Sequence, residues 1–176
     1  IKDETVVEYF KQSEQRIKSM ALIHQQLYRT KDLSRINFRE YLNELCSYLL
    51  FANNATPGRV NYKIEAEELY FGIDTALPCG LIINELFTNA IKYAFPNDAS
   101  GNILLKLFKD NDDKFHIMIK DDGIGASNLN IKKSDSLGIE LVNTLTDQLE
   151  GEISITINNG TEINLIFKES HFNRRL

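Results

Sequence analysis

The 176-residue chain lacks tryptophan, has only two cysteines, and contains no glycine or proline in its first 56 residues. Cys46 and Cys79 are isolated, without the paired spacing of a zinc or redox site, so two buried, reduced thiols are expected. The longest apolar stretch, Ala76 to Ile83, falls well short of the roughly 20 residues that span a bilayer. The sequence opens without the charged and apolar regions of a signal peptide. Because it begins with Ile1, we expect a fragment of a longer protein.

All nine glycines and three prolines lie in residues 57–176, beginning with Pro57 and Gly58. This asymmetry predicts a helical segment over 1–56, followed by a turn-rich α/β body over 57–176. Charge divides at the same point: 1–56 carries 8 basic and 7 acidic side chains, and 57–176 carries 12 and 18. Neither part has a basic stripe, which argues against nucleic-acid binding. An acidic body that binds an anion needs a metal ion, a helix N-terminus or a well-placed lysine.

The first segment has the spacing of two helices. Apolar and small residues recur every three or four positions and predict a heptad-like seam on a long first helix: Val6, Phe10, Ser13, Ile17, Met20, His24 and Leu27. Phe38, Leu42, Leu45 and Leu49 predict a second helix, with Asn37 as its N-cap. A two-helix hairpin cannot bury such stripes alone, so it packs on the body or pairs with a second copy. His24 is expected to be half-buried on the seam.

The body alternates strand and helix patterns. Strands are predicted at 60–64, 69–73, 103–108, 115–120, 153–157 and 163–167, with helices over 74–94 and 139–149. The acidic turn at 109–113 lacks the glycine and closing glutamate of a calcium loop. The order predicts an α+β fold, a two-layer sandwich in which a mixed, mostly antiparallel sheet carries helices on one face.

The long helix carries the first candidate site. At about 100° per residue, Glu85, Asn89 and Lys92 fall in one polar row, opposite an apolar face. A solvated polar face is the plainer interpretation of such a row. The row has few charges and a central asparagine, a poor helix former, which favours a functional interpretation.

Three further short segments of the sequence, called strings below, are each weak signals of a binding site. Asp121, Gly123 and Gly125 follow a strand, where two close glycines allow a tight turn against a ligand. Ser136, Leu137 and Gly138 open a helix whose free N-terminus attracts phosphate. A hairpin turn brings the Thr161 hydroxyl to the end of the sheet. An ordinary turn or cap explains each string taken alone.

Together and in this order, the strings resemble the ATP-binding domain of the superfamily that includes histidine kinases and DNA gyrase, known as the Bergerat fold. The resemblance covers about residues 58–168. The sequences of residues 77–96 and of Ser136-Leu137-Gly138 look most like those of sensor histidine kinases. The sequence of residues 16–28 resembles that of the dimerisation helices in the subgroup with a His-Arg-x-Lys-Asn phospho-acceptor motif.

The resemblance implies a role for each residue. Asn89 would coordinate Mg²⁺ and Glu85 would act as base or water-orienter beside the γ-phosphate. Asp121 would accept from the adenine amino group. The remaining ATP-binding positions would be Lys92, Tyr93, Gly123, Gly125, Leu137, Gly138 and Thr161. Residues 126–137 would form a lid, in which Lys132 and Lys133 are either phosphate contacts or solvated side chains.

None of His24, His116 and His171 stands in a His-Arg-x-Lys-Asn motif, so we expect the acceptor to precede Ile1 and the fragment not to autophosphorylate. The implied function is ATP binding by a sensor histidine kinase, with a homodimer through residues 1–52, a response-regulator partner and a cytoplasmic location. Membrane anchoring of the longer protein stays open. The alternatives are a non-catalytic, nucleotide-gated dimerisation module and a protein-serine kinase of the anti-sigma type.

Overall fold

The computed structural model describes residues 4–29, 35–55, 58–125 and 136–169. Its elements in chain order are α1 (Glu4–Arg29), β1 (Ile36–Asn37), α2 (Phe38–Ala52), β2 (Val60–Ala66), β3 (Tyr70–Phe71), α3 (Ile73–Tyr93), β4 (Gly101–Lys109), β5 (Phe115–Asp121), α4 (Leu137–Gln148), β6 (Glu152–Ile157) and β7 (Thr161–Phe167). The predicted connection at 30–34 and most of the predicted lid, 126–135, lie outside the described residues.

One five-stranded sheet organises the body, in the order β2-β4-β5-β7-β6. β2 runs parallel to β4, and the other neighbouring pairs are antiparallel. This confirms the predicted α+β fold with a mixed, mostly antiparallel sheet. The expected strand at 69–73 shortens to β3, which pairs with β1 in a separate two-stranded sheet that the sequence did not predict.

The core lies between the sheet and the helices. α2 begins at its predicted cap, where the Asn37 side chain accepts a hydrogen bond from the Glu40 amide. The four apolar residues predicted for this helix are fully buried: Phe38, Leu42, Leu45 and Leu49. Burial raises the pKa of both the Cys46 and Cys79 thiols, which keeps them protonated and unreactive.

α1 presents to the body a different face from the predicted seam. Phe10 and Ile17 of the seam are 74% and 66% exposed, whereas Gln15, Ser19 and Ile23 are buried. His24 is exposed, so the prediction of a half-buried histidine is wrong. The packed face combines the apolar Leu22 and Ile23, which join the core, with Arg16, which pairs with Glu85 of α3, and Ser19, which bonds to Tyr41 of α2. Gly80 of α3 permits the close contact with both α1 and α2, since a Cβ there would lie 2.3 Å from Tyr41 Oη and 3.1 Å from Ile23.

Among the described residues, no helix is long and apolar enough to cross a membrane.

Candidate nucleotide site

Asp121 forms one end of the candidate site, which we call the adenine end. It is the last residue of β5 and only 5% exposed. Its Oδ1 accepts from the backbone amides of Gly123, at 3.0 Å, and Thr161, at 3.1 Å. Burial raises the pKa of this carboxyl, and the bonds from Gly123 and Thr161 oppose that rise. The sequence named all three residues, and the structure brings them together.

Two glycines are sterically required at this end. Gly160, just before Thr161, has φ +118°, and a Cβ there would lie 1.9 Å from the carbonyl oxygen of Asp121. A Cβ on Gly123 would lie 2.2 Å from the carbonyl oxygen of Ala94, just beyond α3. The next residue, Ile124, donates its amide to that same oxygen at 3.0 Å. The adenine end is therefore built almost wholly from main chain.

Gly125 also lies at the adenine end. Its φ is +73°, and it is close to Ile157 and to the Gly160 carbonyl. Three apolar or aromatic side chains around the site are well exposed: Tyr93 at 65%, Ile124 at 71% and Leu137 at 54%. Flat apolar surface beside a buried carboxylate suits a heteroaromatic ring that carries an amine.

The other end of the site, which we call the phosphate end, lies along α3. Glu85 is 7% exposed, Asn89 is half-buried and Lys92 is half-buried. The row is therefore covered, and the solvated-face interpretation of it is wrong. The first turn of α4 lies beside Glu85. A Cβ on Gly138 in that turn would lie 2.7 Å from Glu85 Oε2. The N-cap of α4, Ser136, accepts from the Ile139 amide at 3.4 Å.

α1 covers the phosphate end through two ion pairs. Arg16 binds Glu85 with both arms, from Nε to Oε1 at 2.8 Å and from Nη2 to Oε2 at 3.0 Å. Lys92 donates to Glu8, one of α1's first residues. The Glu85 hydrogen bond raises the pKa of the Arg16 guanidinium, and the Lys92 bond lowers the pKa of the Glu8 carboxyl.

The residues present fit a magnesium nucleotide. Among the described residues, no three histidine, cysteine or acidic side chains cluster to hold a metal unaided. Mg²⁺ commonly takes one or two protein oxygens and completes its shell with phosphates and water, which an asparagine amide such as Asn89 allows. Because Gly138 has no side chain, the first turn of α4 can lie close to the Glu85 carboxylate.

Family comparisons agree with this geometry. The family described as "Histidine kinase-like ATPase domain" matches residues 57–167, and the family described as "Histidine kinase" matches residues 1–53. The chain belongs to the histidine kinase-like ATPase domain family. The match to the ATPase domain family spans the five-stranded sheet, α3, α4 and every residue of the candidate site.

Individual relatives are similar over most of the chain. A sensor histidine kinase PdtaS of Mycobacterium tuberculosis is 30% identical over 148 residues, covering 82% of this chain and 29% of the relative. Blue-light-activated histidine kinase 2 of Erythrobacter litoralis is 27% identical over 110 residues, covering 61% and 32%. The chain thus spans about a third of the length of these curated relatives.

Solved structures share the fold. The histidine kinase domain of the Erythrobacter litoralis EL346 blue-light-activated histidine kinase superposes with a TM-score of 0.80 at 23% identity. The superposition covers 90% of this chain and 75% of that one.

Sequence reasoning missed Arg16 and Glu8 as neighbours of the ATPase site. Their partners are 69 and 84 residues away along the chain. The only available signal was a charge pattern: glutamate then arginine on one helix, glutamate then lysine on the other. Such a pattern becomes informative only when the two helices are known to be antiparallel neighbours.

Proposed function

We propose that this chain is the ATP-binding catalytic part of a sensor histidine kinase, which binds MgATP and transfers its γ-phosphoryl group to a histidine. The observation that carries the proposal is Asp121, a buried carboxylate held by two backbone amides at the end of a strand. Main-chain donors fix Oδ1, so the carboxylate is oriented before any ligand arrives. An exocyclic amine is the donor that suits its remaining acceptor capacity.

The protein residues at the phosphate end would position the reacting groups. Phosphoryl transfer needs alignment and charge neutralisation more than covalent chemistry from the protein. Lys92 and the first turn of α4 would bind phosphate oxygens, with Gly138 allowing close approach. Asn89 would hold Mg²⁺, which neutralises phosphate charge when bound. Glu85 would accept the proton of the attacking imidazole or orient that ring.

These local positive groups explain how an acidic body can bind a polyanion. Residues 57–176 carry 12 basic and 18 acidic side chains, a net charge of −6. Diffuse attraction for ATP is therefore absent, and affinity depends on the few placed groups. The same argument favours a metal-dependent site, because the metal adds two positive charges next to the phosphates.

The location of the acceptor histidine rests on the resemblance alone. By resemblance it stands in a His-Arg-x-Lys-Asn motif, and none of the chain's three histidines does. We therefore assign the accepting role to none of them. His24 is exposed on α1, and His116 pairs with Asp110 at 2.7 Å on a hairpin remote from Asp121.

Titration calorimetry with a non-hydrolysable ATP analogue tests the proposal. We expect binding that needs Mg²⁺ and is weakened about tenfold or more by Asp121→Asn, which replaces the charged acceptor. Asp122→Asn is the matched control, because Asp122 is exposed and bonds only to Asn102 in the described contacts. Asn89→Ala should remove most of the Mg²⁺ dependence. Metal-independent binding, or binding indifferent to Asp121→Asn, would refute the proposal.

We further propose that the chain forms a homodimer through residues 1–52, works in the cytoplasm and passes phosphate to a response-regulator receiver domain. The exposed apolar side chains of α1 support the dimer: Val6, Val7, Tyr9, Phe10, Ile17 and Met20. Sedimentation velocity of the Phe10→Ser, Ile17→Ser double variant tests this. We expect a shift from dimer to monomer, and an unchanged sedimentation coefficient would contradict the proposed interface.

Neither a non-catalytic switch nor an anti-sigma-type serine kinase is favoured, since both matching families carry histidine kinase descriptions.

A further inference from the structure

α1 and α3 are antiparallel helices joined by charges in register. Glu8 lies opposite Lys92 and Arg16 lies opposite Glu85. The steps of eight residues on α1 and seven on α3 correspond to about 12 and 10.5 Å along the helix axes. Two oppositely oriented ion pairs therefore fix the position of α1 along α3, and both use residues of the phosphate end.

The rest of the contact between these helices is poorly satisfied. Several buried polar atoms there have no hydrogen-bond partner in the described structure: Gln15 Nε2, Gln26 Nε2 and Oε1, Asn84 Oδ1 and Thr88 Oγ1. Buried polar atoms without partners gain hydrogen bonds when water reaches them. Leu22 and Ile23 in the C-terminal half of α1 belong to the hydrophobic core, so the reversible contact is confined to the N-terminal half, which carries Glu8, Gln15 and Arg16.

Docked α1 also occupies the groups that catalysis would use. Glu85 Oε1 accepts from Arg16 Nε and from Asn84 Nδ2, at 3.1 Å for the latter, while Oε2 accepts from Arg16 Nη2. A carboxylate bound by both arms of a guanidinium has its best acceptor positions filled. Lys92 is likewise bound to Glu8, so its ammonium faces a carboxylate where a phosphate would compete.

We propose that the N-terminal half of α1 is a releasable clasp: Glu8 and Arg16 hold Lys92 and Glu85 when it is docked, and nucleotide phosphates compete with Glu8 for Lys92. The inference rests on the proposed function and adds regulation to it. The docked state keeps the catalytic side of α3 neutralised, and release of α1 frees Glu85 for the imidazole and Lys92 for phosphate.

Affinity for the Mg²⁺ complex of a non-hydrolysable ATP analogue tests the clasp in the full chain. Glu8→Gln should tighten binding about threefold, because a half-exposed ion pair is a modest competitor. Arg16→Gln should not add to this gain, because it leaves the Glu85 carboxylate unpaired beside the phosphates. Lys18→Gln on the exposed side of α1 is the matched control and should leave affinity unchanged. Glu8→Gln keeps the test decisive if Arg16→Gln fails to fold, since Glu8 is 42% exposed.

Hydrogen exchange of the α1 amides provides an independent readout. In the wild-type chain, the analogue should speed exchange across α1 severalfold, and in Glu8→Gln exchange should already be fast. The proposal is overturned if Glu8→Gln does not bind the analogue more tightly, or if the analogue slows exchange in α1. The second result would mean that α1 stays docked and that Arg16 binds phosphate together with Lys92.

The exchange data also separate this inference from the proposed function. If the wild-type chain binds no analogue, the proposed function fails. The clasp is then judged on exchange without ligand: faster α1 exchange in Glu8→Gln than in Lys18→Gln supports it, and equal exchange contradicts it.

Discussion

The adenine end and the phosphate end of the candidate site are built in different ways. At the adenine end, backbone amides and glycines packed against carbonyl oxygens fix Asp121. At the phosphate end, flexible charged side chains from two helices fix Glu85 and Lys92. The comparison shows that one site can contain a part set by the local chain and a part set by a distant segment. We therefore expect substitutions at the adenine end to cost more folding stability than substitutions at the phosphate end.

Glycine substitutions should separate the two ends most sharply. Gly160→Ala should destabilise the chain by about 3 kcal/mol or more, because the new Cβ meets a carbonyl oxygen and the backbone is in a region that suits glycine. Gly138→Ala should be nearly neutral, because the atom it meets is the movable Glu85 carboxylate and alanine favours a helix by about 1 kcal/mol. Urea denaturation measures both. Similar losses for the two variants would contradict a rigid adenine end.

Removal of the Asp121 carboxylate should have the next largest effect. Asp121→Ala leaves the amides of Gly123 and Thr161 without their acceptor and should lower the free energy of unfolding by about 2 kcal/mol. Asp121→Asn keeps an oxygen in place and should cost less. Thermal and urea denaturation of the two variants provide the comparison. Equal stability of Asp121→Ala and the wild type would show that these bonds do not hold the adenine end.

Nucleotide binding at the adenine end should weaken in acid at a higher pH than it would with an ordinary aspartate. Burial raises the pKa of Asp121 in the folded chain, so the folded state takes up this proton more readily than the unfolded state. The ionised carboxylate thus costs stability above its folded pKa, and this cost is relieved as the pH falls. Nucleotide affinity should fall over the same range, because the protonated carboxyl is a weaker acceptor. Asp121→Asn, titrated in parallel, should lack this component, and identical pH profiles would contradict the assignment.

Salt should give the smallest effect, confined to the phosphate end. At about 1 M ionic strength the Debye length is about 3 Å, which weakens partly exposed pairs such as Glu8 with Lys92. Hydrogen exchange of α1 should rise by a factor of about two to five, as for a modest ion pair. The amides of β5 and β7 should not change. A uniform rise across both regions would mean that salt loosens the whole fold.

Much of the secondary structure was predictable because its signals are local. Strand alternation, the apolar face of α3 and the Asn37 cap each depend on residues within a turn or two of one another. The grouping of Asp121, Gly123 and Thr161 was also anticipated, since a strand end and a hairpin turn meet at one edge. The functional roles of these residues remain predictions.

The predictions that were wrong concerned which faces of the helices and which strands contact one another. The period of α1 correctly identified an apolar stripe through Phe10 and Ile17, but period alone does not say which stripe is covered. Here the covered stripe contains Arg16, which pairs with Glu85 of α3, together with the apolar Leu22 and Ile23. β1 was missed for a similar reason: two residues, Ile36 and Asn37, become a strand only through pairing with β3.

The hydrogen bond from Ile124 to Ala94 limits how the two ends can move relative to each other. α3 is 21 residues long, about 31 Å, and its C-terminal end is attached at Ala94 to the turn that follows Asp121. Sliding of α3 along its own axis would drag that turn with it, whereas a small tilt about Ala94 would not. We therefore expect a pull from α1 on Glu85 to change the angle of α3 and to leave the distance along α3 from Ala94 to the phosphate end constant.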